Sequence, residues 1–201
     1  AGPATAQQED GGDKIDETPA VEKLPNGDIR LGQITLHRKE KVLSFPARIE
    51  LSAGILEVLI ATPEGRVHEA LLVTEARPLY LQTMLYLLGL KNGARMPGGE
   101  VPQGNLVHID VEWRNDEGKT IREPVEKWVW NSETERTMDR IGWVFVGSPT
   151  MDGEFMADIN GNLALTYSVG ETVLDIPLKE GEDDTVFEVN REKEDPGKNA
   201  E

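Results

Sequence analysis

Two residues able to do acid–base or metal chemistry stand side by side in GRVHEALLVT, residues 65–74: His68 and Glu69. A histidine titrates near neutrality and a carboxylate can orient its ring, so the pair invites a general-base or metal-ligand reading. The neighbours argue against it. HEALLVT is a mostly apolar run that reads as a central strand, and adjacent strand side chains point to opposite faces. On that expectation the two cannot grip one ion, and each remains only as a single binding candidate. Glu69 is then a buried anchor that must find an arginine or a backbone partner.

Other constellations are weaker. In LVHIDVEW, residues 106–113, His108, Asp110 and Glu112 share one strand face, and His108 with Asp110 makes a weak metal candidate. Solvent alone selects such an outer face, so no metal is expected. DINGN sets Asp158, Asn160 and Asn162 at alternate positions but lacks the glycine and terminal glutamate of a calcium loop; Asn160-Gly161 reads instead as a hairpin turn. Gly-x-Ser-x-Gly and phosphate-cradling glycine loops are absent, so no catalytic residue and no cofactor is expected. Ser148 and Trp143 in GWVFVGS are retained as binding candidates. Trp113, Trp128, Trp130 and Trp143 are close in sequence; they suit a core, or an aromatic surface for peptide or glycan.

These residues have to be positioned by short strands. Ile34 and Leu36 alternate with polar neighbours, RKEK turns the chain, and Phe45, Ala47, Ile49 and Leu51 return on one face, with Pro46 marking an edge or bulge. GILEVLIA and RVHEALLV, joined by TPEG, read as a central hairpin covered on both faces. PLYLQTMLYLLGL supplies one helix at about 78–89: Pro78 suits its first turn, Gly89 its end, and Leu81, Met84, Leu85 and Leu88 one stripe. The class expected is mainly β to α+β, with antiparallel sheets forming a sandwich or partly open barrel around that buried helix.

Composition divides the chain. Residues 1–24 and 191–201 are polar and read as disordered tails, which leaves 25–190 as a single domain. Thirty-seven acids against 21 bases give a formal charge of −16, which opposes nucleic acid and anionic membranes. The absence of cysteine excludes disulfides, thiolate metal sites and a cysteine nucleophile. No apolar run reaches membrane-span length. Residues 1–24 resemble the linker that follows a removed export signal, so a periplasmic or extracellular location is expected.

Several stretches together resemble the YdjY-domain family of uncharacterised bacterial exported proteins. They are GILEVLIATPEGRVHEALLVT, the helix end LLGL, GWVFVGS, FMADINGNLALTYS and DIPLKEGEDD, in that order over nearly the whole folded region. Relatives tend to carry Lys where Arg66 stands, Ser for Ala70 and Thr for Val146, and some carry cysteine clusters that this chain lacks. The resemblance implies an envelope domain and brings no activity, substrate or catalytic residue. The expectation is a non-enzymatic module that binds or scaffolds a protein partner in the cell envelope. The alternatives are a metal-dependent or hydrolytic enzyme using His68 or Glu69, and a carbohydrate-binding module. Oligomeric state is not legible in the sequence.

Overall fold

The computed structural model describes residues 20–93 and 103–191. The tail residues 1–19 and 192–201, and most of the glycine-rich loop at 94–102, lie outside them. Residues 20–24 were read as tail, yet Glu22–Lys23 form β1, held by pairing with β2 (Ile29–Leu31). With β3 (Ile34–His37) and β4 (Val42–Ser44) these make a four-stranded antiparallel meander in the order β1-β2-β3-β4. Leu31, Ile34 and Leu36 point into the core, while Arg30 and Ser44 lie exposed.

Pro46 sits between this sheet and β5 (Arg48–Ile49), so both flanking strands are sheet edges. β6 (Val58–Ala61) and β7 (Ala70–Val73) are buried at every position, as expected for strands covered on both faces. They are not a hairpin. The pair is parallel, in register Val58 with Ala70 and Ile60 with Leu72. Thr62 and Gly65 do close a turn through a 3.0 Å backbone bond, but the chain then crosses back over one sheet face as a strap. Val67 of that strap packs on Val58, Ala61, Ala70, Val73 and Leu165. A crossover this short leaves no room for strand at 67–69, which coil into a 3-10 turn instead.

α1 (Pro78–Leu87) follows, as its local signals predict. It touches β3 and the strand formed by Asn162–Leu165, burying Tyr80, Leu81, Met84 and Leu85 while Tyr86 and Leu87 stay exposed. LVHIDVEW is two strands rather than one: β8 (Leu106–Val107) joins the large sheet, and β9 (Asp110–Arg114) pairs with β10 (Thr120–Pro124) as a ribbon. β11 (Val129–Asn131) and β12 (Arg136–Thr137) precede β13 (Trp143–Phe145), and β14 (Thr150–Met151) pairs with β15 (Glu154–Phe155).

FMADINGNLALTY is not a hairpin either. It is a short helix α2 (Met156–Asn160) followed by β16 (Asn162–Leu165). Gly161, at φ 66°, is the left-handed residue ending the helix, and a helix end needs the same glycine that a hairpin turn would. β17 (Leu174–Asp175) and β18 (Phe187–Val189) complete the fold. The large sheet runs β5-β7-β6-β16-β17-β13-β8 and is mixed, with two parallel pairs where only antiparallel ones were expected. The class is β-rich α+β with several antiparallel sheets and, among the described residues, two α-helices and no closed barrel.

Candidate functional site

His68 and Glu69 are not on opposite faces of a strand. In the 3-10 turn the His68 Nε2 lies 3.4 Å from Glu69 Oε1. Glu69 also takes an Arg66 hydrogen bond at 3.1 Å, and the same guanidinium holds Glu57 more closely still. Glu69 is therefore half-buried and paired, whereas the His68 side chain is 76% exposed. Arg66 saturates the acidic side of the cluster, which disfavours a cation there.

Ser148 is buried and works as a clamp. Its Oγ accepts the Ala157 N–H at 2.9 Å in the first turn of α2, and its backbone N–H and C=O are both bonded by the Gln82 amide of α1. α2 in turn supplies Asp158, whose Oδ1 accepts the Leu79 N–H at 2.9 Å in the first turn of α1 and whose other oxygen holds Arg77. Neither helix has a capping side chain of its own: α1 is capped by Asp158, distant in sequence, and α2 by Ser148 from the loop just before β14. Burial alone would lower the Arg77 pKa, but the hydrogen bonds and charge of Asp158, with Tyr80, raise it.

Trp143 is fully buried and donates its Nε1–H to Leu165 O at 2.8 Å, so it cannot reach a ligand. Trp128 is buried against Trp113 in an edge-to-face pair at 5.8 Å. His108 is exposed, Asp110 is bonded to Arg140 at 2.8 Å and Glu112 to Arg122. Among the described residues no group of three His, Cys, Asp or Glu is placed to hold a metal. Asp158 is committed to α1, and Asp158 and Asn160 lie within α2 with Gly161 as its left-handed end, so DINGN forms a helix end rather than the start of a calcium loop.

Two features were missed from sequence. The first is an open depression of about 330 Å³ over β11 and β18, lined by Trp130, Glu188, Val189, Asn190 and Arg191. Trp130 is half-buried there, and Glu188 lies 3.6 Å from the exposed Arg191. The second is a hydrogen-bonded chain on the outer face of the meander. Asp28 Oδ2 meets His37 Nδ1 at 3.0 Å, and His37 Nε2 meets Ser44 Oγ at 2.7 Å.

Asp28 also accepts from Asn26 Nδ2 at 2.8 Å and from the Arg38 N–H at 3.2 Å. Burial alone would raise its pKa, but the hydrogen bonds from His37, Arg38 and Asn26 outweigh it and hold the carboxyl below its usual value. The RKEK turn was the available signal. It places Thr35 opposite Ser44 and thus His37 diagonally across from it on the same face, within reach of a long side chain.

No family model, curated protein or solved structure matches the chain.

Proposed function

We propose that the chain is a YdjY-like exported binding module that takes a basic segment of a protein partner into the depression over β11 and β18. One observation carries this reading: an open hollow of about 330 Å³ with a half-buried tryptophan, Trp130, beside a carboxylate, Glu188. A lysine or arginine side chain laid on that indole gains a cation–π contact of about 0.5–1 kcal/mol at an exposed site. Its charge meets Glu188 once the weakly held Arg191 swings away. The formal charge of −16 works in the same direction, concentrating cationic segments at the surface. Among the described residues no helix is long and apolar enough to cross a membrane.

The alternatives have less to rest on. Arg66 already binds Glu69, and two of the four tryptophans are buried away from any glycan. Titrating a lysine-rich peptide into isotope-labelled protein should move the Trp130 indole resonance, with a glutamate-rich peptide inert. Trp130→Ala combined with Glu188→Gln should remove the binding. An indole indifferent to millimolar lysine-rich peptide overturns the reading.

A further inference from the structure

We propose that Asp28, His37 and Ser44 form a nucleophilic serine site that accepts acyl groups from small activated esters. The site lies on the four-stranded meander and stands independently of the Trp130 depression. Its geometry has the order such chemistry requires: a buried acceptor, an imidazole and a hydroxyl in one hydrogen-bonded line.

The proton positions follow from the partners. Asp28, its side chain 9% exposed, receives donors from Asn26, Arg38 and His37, so it serves only as an acceptor. An acceptor facing Nδ1 places a proton there, and in the tautomer with only that proton the Nε2 lone pair faces Ser44 Oγ. That is the tautomer a general base needs. Asp28 is a positioning residue that fixes it through His37.

Access and charge stabilisation come from the strand itself. Ser44 is exposed on β4, the outer strand of its sheet. Alternate N–H groups of an edge strand face away from the ladder, so one at or next to Ser44 is directed to the open side, where a developing oxyanion can be met. Ser44 stands on an exposed strand face, where an activated ester with a good leaving group reaches it directly.

In the reaction, Ser44 Oγ bonds the ester carbonyl carbon while its proton passes to His37 Nε2. The tetrahedral oxyanion then collapses, the bond to the leaving oxygen breaks, and His37 returns the proton to the departing alcohol or phenol. Water, deprotonated by the same nitrogen, attacks the acyl-serine, releases the carboxylic acid and restores the hydroxyl.

The test uses p-nitrophenyl acetate on the whole chain, with each serine's acetylation followed by peptide mass mapping. Ser52, also exposed, has no hydrogen-bonded histidine among the described residues and serves as the internal reference. Ser44 should acetylate about a hundredfold faster, in keeping with the usual general-base contribution. His37→Ala should bring Ser44 down to the Ser52 rate, with added imidazole restoring part of it. Asp28→Asn should slow Ser44 labelling while leaving the Ser52 rate unchanged, and Asp28→Glu, which keeps a carboxylate acceptor for His37, should recover part of the Ser44 rate. Equal rates at Ser44 and Ser52 in the wild-type protein overturn the assignment, whether or not the variants fold. So does an undiminished Ser44 rate in folded His37→Ala.

Discussion

Replacing Asp158 with alanine tests whether α1 depends on a cap supplied from α2. The carboxylate accepts the Leu79 N–H at 2.9 Å and binds Arg77, with the two ionic side chains 13% and 39% exposed. Loss of a first-turn acceptor costs about 1 kcal/mol. Removing a negative charge from a helix N-terminus costs about 0.5 kcal/mol. The Arg77 pair, partly open to water, adds about 0.5 kcal/mol. Alanine's better helix propensity within α2 is offset by losing an acid from that helix's own first turn. The total of about 2 kcal/mol corresponds to a Tm lower by about 4–8 °C for a domain of this size.

Calorimetry on wild type, Asp158→Ala and Asp158→Asn separates the parts. Asparagine keeps an acceptor for Leu79 and loses the charge, so it should fall by roughly half as much. A Tm within about 1 °C of wild type for alanine, well short of that shift, refutes the reasoning. An asparagine variant as unstable as alanine refutes the assignment of half the effect to the hydrogen bond.

Gly65→Ala should lower the urea midpoint by an amount equivalent to about 1–3 kcal/mol. An added Cβ would stand 2.7 Å from the Gly161 carbonyl oxygen, so two backbone segments must part, and an unchanged midpoint would show that they can. Asp28 should govern the acid limb of stability. Its folded pKa is depressed, so its contribution is complete above the unfolded value of about 3.9 and disappears as pH falls through the folded one. The Tm gap between wild type and Asp28→Asn should hold constant above about pH 5 and close below about pH 4. A gap that widens in acid reverses the sign and refutes it.

What was legible in the sequence was what local chemistry decides. Pro78, Gly89 and the leucine spacing specify α1 without reference to the rest of the chain, and alternation finds Ile34 and Leu36. Turn chemistry is legible too, but not its use: TPEG makes its turn inside a crossover, and Asn160-Gly161 ends a helix. His68 and Glu69 were placed on a strand because an apolar run gives no sign of where it starts. The site residues depend on longer range. Ser148 caps α2 from an adjoining loop but is gripped by Gln82, and Asp28, His37 and Ser44 converge only once the meander's register is known.

The order of strands in the large sheet has a consequence for biosynthesis. The early strands β5, β7 and β6 meet the later group β16, β17, β13 and β8 at a single seam, β6 against β16. About a hundred residues separate the two seam strands, so at about 5–20 residues per second a ribosome needs about 5–20 s to supply the second. For that interval the nascent chain carries Val58–Ala61, an uncharged strand of four apolar residues, with one hydrogen-bonding edge unclaimed. A holding chaperone that shields such an edge would decide how much of this protein reaches its folded form.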